Sequence, residues 1–173
     1  LYIDPSSLSK NKLTVVDSSN LDMNGTAGVY LWGASVVGLD GKIYFVDRTY
    51  GNIARFNATT KNFERIAGTG TQGSCDGGVS PLSCNMDPQD VFVDESSTIY
   101  FMDRGRVRTI QSGKIVTIMG QSYGYGEGLN PLSARFGDIN RMSHYVAGSD
   151  RRIIVLDALE QIFRELTVGD SIY

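Results

Sequence analysis

The feature that most limits how this chain can fold is its self-similarity. The window Asp40-Gly41-Lys42-Ile43-Tyr44-Phe45-Val46-Asp47-Arg48 returns as Ser97-Thr98-Ile99-Tyr100-Phe101-Met102-Asp103-Arg104, and more weakly as Ser143-His144-Tyr145-Val146-Ala147-Gly148-Ser149-Asp150-Arg151. Aligned in this way, Tyr44, Tyr100 and Tyr145 stand 56 and then 45 residues apart. A repeat of this period is one supersecondary unit that cannot bury its apolar face alone and must stack on its neighbours.

The flanks repeat too. Before each window comes an apolar run (Ala34 to Val37, Val91 to Val93, Phe136 to Ile139). After it come Ile53 to Phe56, Val107 to Ile110 and Ile153 to Leu156, then Phe63 to Gly68, Ile115 to Gly120 and Phe163 to Gly169. Each unit therefore reads as four short strands, A to D. Leu39-Asp40-Gly41-Lys42 signals a two-residue hairpin, because Gly takes the positive φ that a primed turn needs. Strand B is apolar at successive positions rather than alternating, so both of its faces are covered. Asp157 to Leu166 could pass for an amphipathic helix, but it occupies the place of Asn57 to Ile66 and is expected to be a turn followed by strand D. Four-stranded units at this period are the signature of β-propeller blades.

Leu1 to Asp4 matches the end of a strand C and Lys12 to Val16 a strand D, so the expected layout is a half blade at 1–20 and blades at 25–70, 71–122 and 123–173. Three and a half blades do not close a ring of ~4–8. Further blades of a parent protein, or a second copy of the chain, are expected to cover the open edges. Leu1, with no initiator Met and no signal peptide, is expected to mark a processing site or the boundary of an excised piece.

The stretch Ala67-Gly68-Thr69-Gly70 through Asp76-Gly77-Gly78, then Asp87-Pro88-Gln89-Asp90-Val91-Phe92-Val93-Asp94, Ile99-Tyr100-Phe101-Met102-Asp103, Val107-Arg108-Thr109-Ile110 and Ile115 to Gly120, resembles an NHL repeat. That family pattern has a Gly-rich opening, a Pro-led first strand, a second strand ending in Asp, an Arg-containing third strand and a fourth ending in Gly. The resemblance holds well from about Val29 to Gly120 and loosely to Gly169; in the third unit Gly148 stands where the strand-end Asp belongs, and no Pro leads into Phe136. It implies an all-β propeller. Secreted members often use the fold for binding, and a minority are enzymes.

With 41% hydrophobic and 20% charged residues the chain has a globular balance, and no apolar run approaches the ~20 residues of a membrane span. A net charge of −3 gives no bulk attraction to nucleic acid or anionic lipid. Cys75 and Cys84 lie in one Gly/Ser/Pro-rich stretch and are too few for a zinc site. A local disulfide, contributing ~2.7 kcal/mol by the chain-entropy argument, points to a secreted, periplasmic or cell-surface protein; two free thiols in a cytosolic loop are the alternative.

Chemistry is sparse. The propeller enzymes that this fold resembles, lactonase-like hydrolases and an amidating lyase, use metal centres, by resemblance. The single histidine, His144, excludes a His-rich zinc centre within this chain. Asp47 and Asp103 could ligate calcium, yet at strand ends their ordinary role is to brace the turn that follows. No Ser-His-Asp logic, GxSxG, P-loop or HExxH is present. Tyr123-Gly124-Tyr125-Gly126-Glu127-Gly128 lacks the GK[ST] ending of a phosphate loop. Asn24-Gly25-Thr26 and Asn57-Ala58-Thr59 are sequons.

In an up-and-down blade the B–C turns and the long D–A connections share one end. That end would display Arg48, Tyr50, Asn52, Arg104, Arg106 and Arg151 from the turns, and Tyr123, Tyr125 and the stapled loop from the connections. Arg and Tyr give large contact area with directional hydrogen bonds. These residues favour a non-catalytic recognition or adhesion module for a protein or glycan over an enzyme, with no cofactor required. Two other readings are kept: a fragment of a metal-dependent lactonase- or lyase-type propeller whose catalytic residues lie in other blades, and an intracellular NHL scaffold binding protein or RNA through Arg104-Gly105-Arg106-Val107-Arg108. Acidity and the expected disulfide weigh against the last.

Overall fold

A computed structural model of the chain describes residues 33–60, 62–121, 130–137 and 139–168. The fold is all-β. The strands are β1 (Ser35–Val37), β2 (Ile43–Asp47), β3 (Asn52–Asn57), β4 (Asn62–Ala67), β5 (Pro88–Val93), β6 (Ile99–Asp103), β7 (Val107–Gln111), β8 (Lys114–Met119), β9 (Ile139–Ala147), β10 (Asp150–Asp157) and β11 (Ile162–Val168). They form three antiparallel meanders: β1-β2-β3-β4, β5-β6-β7-β8 and β9-β10-β11. The only helical turns among the described residues are two 3-10 turns, Pro81–Ser83 and Pro131–Ser133. The expected half blade at 1–20 lies outside the described residues, as does Asn24.

Turn chemistry sets the strand ends. The β1–β2 hairpin is closed by bonds from Gly41 N to Gly38 O and from Gly38 N to Lys42 O. Gly41 sits at φ +71°, so the loop has three residues with Gly in the left-handed position, not the two expected. Asp47 Oδ1 accepts from the backbone N–H of Thr49 and Tyr50, and Asn57 Oδ1 does the same for Thr59 and Thr60. These are Asx turns, in which a short side chain replaces a backbone acceptor.

The sheets stack through two cores. Tyr44, Val46 and Ile53 of the first sheet meet Val91, Val93 and Phe101 of the second, with Cys84 and Met86 from the connection. Phe92, Tyr100, Met102 and Val107 of the second meet Ile139, Ile153 and Val155 of the third, with Phe136. Along β5 the side chains alternate, Val91 and Val93 to one core and Phe92 to the other, so every residue of the strand is buried. This explains the apolar runs without alternation: strands between two sheets have two dry faces.

The third sheet corrects one expectation. The tripeptide Pro-Leu-Ser forms the 3-10 turn at both Pro81 and Pro131, and the carbonyls of those prolines accept from Gly68 N and Gly120 N respectively. Five residues after each leucine, Asp87 N donates to Asp103 Oδ1 and Gly137 N donates to Asp157 Oδ2. Arg108, which packs on Asp103, has its counterpart in Arg164, which packs on Asp157. The equivalents of β5, β6 and β7 are therefore β9, β10 and β11. The window Ser143–Arg151 is not a second strand but the end of the first, the next turn and the opening of the second, and the strand-end aspartates are Asp47, Asp103 and Asp157, 56 and 54 residues apart. Asp157 to Leu166 is indeed a turn followed by a strand, but that strand is the third of its unit; a fourth is not among the described residues.

Candidate functional site

The first strand of each meander faces a common open groove of about 600 Å³. Its walls are Gly33–Val36 of the first sheet, Asp90–Phe92 of the second and Arg141–His144 of the third. The groove exists because, among the described residues, the first strand of each sheet is an edge strand, and three such edges converge.

Asp90 is the chemical centre of this groove. It is 5% exposed. One carboxylate oxygen accepts from Met142 N of β9 at 2.8 Å and the other from Val91 N at 2.9 Å, so Asp90 ties two neighbouring sheets together. Burial pushes its pKa above the usual carboxylate range, opposed by those two backbone N–H groups and by the nearby Arg141 charge. Arg141 itself is exposed, as is Ser143 two residues on. A buried carboxylate, an exposed guanidinium, hydroxyls and strand edges left unpaired among the described residues suit a ligand held by several directional hydrogen bonds.

The expected loop face is only partly assembled. Arg48 and Arg104 are exposed at turns after β2 and β6, and Tyr50 is half-buried. Asn52 is buried; its side-chain oxygen accepts from Gly70 N at 2.9 Å, so it anchors the next connection from inside. Arg106 is folded back on the protein, donating to the Cys75 carbonyl, Ser74 Oγ and Asp103 Oδ2. Tyr123 and Tyr125 lie outside the described residues. Leu82 and Leu132 are 50% and 48% exposed at the repeated 3-10 turns of this same end.

Arg151 belongs to the opposite end. With β10 as a second strand, Arg151 follows an A–B turn, and it pairs with Asp94 at 2.9 Å and Glu95 at 3.2 Å in the equivalent turn of the second sheet. His144 joins it, 3.4 Å from Glu95 and stacked on Phe92 with ring centroids 4.5 Å apart. These residues clamp two sheets together.

Cys75 and Cys84 form a disulfide, with Cα atoms 5.4 Å apart. The carboxylate of Asp103 is engaged by Asp87 N, Arg106 and Arg108, so it braces the first strand and two arginines rather than the turn after β6. Among the described residues no three His, Cys, Asp or Glu side chains gather to hold a metal ion, and no helix is long and apolar enough to cross a membrane.

With an apolar run ending at Ile139 and the next window opening at Ser143, the sequence leaves Arg141 between strands and apart from Asp90. The identical Pro-Leu-Ser tripeptides, fifty residues apart, carry the signal that would have set the register.

The sequence matches no family model and no curated protein. Among solved structures the chain is similar to a structural-genomics protein of unknown function from Bacteroides thetaiotaomicron, with a TM-score of 0.67 and 18% identity over 91% of this chain and 40% of that one. It is also similar to an auxiliary nutrient binding protein from the same organism, with a TM-score of 0.60 and 19% identity over 76% of this chain and 36% of that one. At these identities the likeness is one of fold, and this chain spans well under half the length of either.

Proposed function

We propose that the three meanders are blades of an NHL-type β-propeller, and that the chain is part of a non-catalytic ligand-binding module outside the cytoplasm, for a protein or glycan ligand. The observation that carries this reading is the groove: first strands of all three sheets converge on a space large enough for a small ligand or a chain segment, with Asp90 and Arg141 at its wall. The fold likeness to a protein described as nutrient binding supports it, and the disulfide supports an oxidising compartment. The units at 25–70 and 71–122 are two of the blades.

The ring is completed by further sheets of the same repeat. In the second sheet Tyr100, Met102 and Val107 are 3% exposed or less because the third sheet covers them. Their equivalents in the third sheet are Ile154, Leu156 and Phe163; the first two are half-buried and Phe163 is 75% exposed. The occupant of that face is a fourth sheet whose first strand lies where β9 lies on the second.

Calorimetric titration of the chain with soluble oligosaccharides and with short peptides tests the reading. Saturable binding to one class, lost in Arg141→Ala and kept in Arg48→Ala, is expected. Binding lost in Arg48→Ala and Arg104→Ala but kept in Arg141→Ala would move the site to the loop face, and absence of binding to both classes in the complete parent protein would contradict the proposal.

A further inference from the structure

Arg108 is fully buried between the first two sheets, and only one of its guanidinium nitrogens is satisfied. Nη1 donates to Asp103 Oδ2 at 2.7 Å and lies 3.7 Å from Cys75 Sγ. Nε and Nη2 are buried without a hydrogen-bond partner. The equivalent arginine of the third sheet, Arg164, is placed differently: its guanidinium lies 5.4 Å over the Phe136 ring. Where that cation rests on an aromatic ring, Arg108 rests against a disulfide.

A disulfide sulfur is a poor acceptor, whereas a thiolate is an anion that a guanidinium stabilises strongly. The site therefore suits reduced Cys75 better than oxidised Cys75. Arg106 adds a second cation, bonded to the Cys75 carbonyl at 3.3 Å. The opposing charges are Asp103, whose Oδ2 is already shared by both arginines, and the exposed Asp76. Access is one-sided: Cys75 is half-buried, while Cys84 is completely buried.

We propose that Cys75 is a thiol–disulfide exchange site whose thiolate is held by Arg108, and that its reductant is a small dithiol. One thiolate of the dithiol attacks Cys75 Sγ, the Cys75–Cys84 bond breaks, and Cys84 leaves as a thiolate that takes up a proton. The second thiol then attacks the dithiol sulfur of the mixed disulfide and expels Cys75 as a thiolate onto Arg108. Two electrons pass to the protein, and the dithiol ends as a cyclic disulfide. Reduction unstaples the connection over residues 69–87, beside the β2–β3 turn, where Gln72 bonds to the Arg48 carbonyl. This activity goes beyond ligand binding and does not depend on it.

The test uses the full chain carrying Cys84→Ala, a change the fold already makes at Ala134, the equivalent position of the next connection. The rate of Cys75 alkylation by iodoacetamide is followed against pH. A half-maximal rate at least one pH unit below the ordinary thiol value of about 8.5, a tenfold gain in thiolate, is expected; a value at or above it overturns the proposal. In dithiothreitol redox buffers, Arg108→Met should make the native disulfide about tenfold harder to reduce, about 30 mV, and Arg108→Lys should not; equal midpoints for all three proteins overturn it. Should Arg108→Met fail to fold, the alkylation profile decides alone, because it retains Arg108.

Discussion

The second and third sheets are built alike and surrounded differently. Both open on a strand tied by an aspartate at the end of the next strand, and both carry a buried Asp–Arg pair. Yet Met102 and Val107 are completely buried, and Phe163, the counterpart of Val107, is largely exposed. The difference lies in the neighbour, not in the strand. Met102 and Val107 meet the third sheet, whereas Phe163 meets no further sheet among the described residues.

The largest effect is expected at the filled interface between the second and third sheets. Phe136→Ala should remove about 3–5 kcal/mol, measured by urea denaturation, because the ring is completely buried between the second and third sheets. A loss below 1 kcal/mol would mean that these sheets do not pack on one another. Next in size is the staple that only the second unit carries. Replacing Cys75 and Cys84 with Ala should cost about 2–3 kcal/mol by the same measurement, with the loss confined to non-reducing conditions.

A smaller effect follows from two Asx turns in the first sheet. Asp47 is buried, and burial raises its pKa against the two backbone N–H groups that favour the charge. A raised carboxyl stabilises the fold below its unfolded pKa, and that contribution is lost as pH rises through the folded value. Asn57 accepts the same two bonds with an uncharged amide. Asp47→Asn should therefore leave stability unchanged or raised by up to about 1 kcal/mol at neutral pH. Stability curves of the two proteins should converge as pH falls to about 4, and divergence there would contradict the burial argument. The smallest effect is expected at the open face: Phe163→Ser should change the stability of this chain by no more than about 0.5 kcal/mol. A larger loss would show that something already covers that ring.

Much of this was legible in the sequence because strand B is written in unbroken apolar letters ending in Asp, and the Asx and Gly turns punctuate it. The disulfide was legible for a different reason, being local. The third unit misled because Tyr145 resembles Tyr44 and Tyr100 by letter, while Ile154 is the residue that occupies their place. A bulge at Leu156 and Asp157 and a nine-residue first strand lengthen this unit's opening. Asn52 and Arg106 have the composition of a recognition surface, yet they serve the fold, since a buried turn needs donors and acceptors as much as a ligand does. The groove has no local signature, because it is made by edges brought together from residues about fifty apart, and only the repeated Pro-Leu-Ser tripeptides point to the register that aligns them.

With β9 as a first strand, the turns at Glu95 and Arg151 share one end of the molecule. Two double variants, Glu95→Cys with Arg151→Cys and Arg104→Cys with Arg151→Cys, should be treated with a short bismaleimide on the disulfide-intact chain and analysed by peptide mass. Cross-linking of the first pair and not of the second is the predicted result; cross-linking of the second pair alone would restore Ser143–Arg151 as a second strand and dissolve the groove.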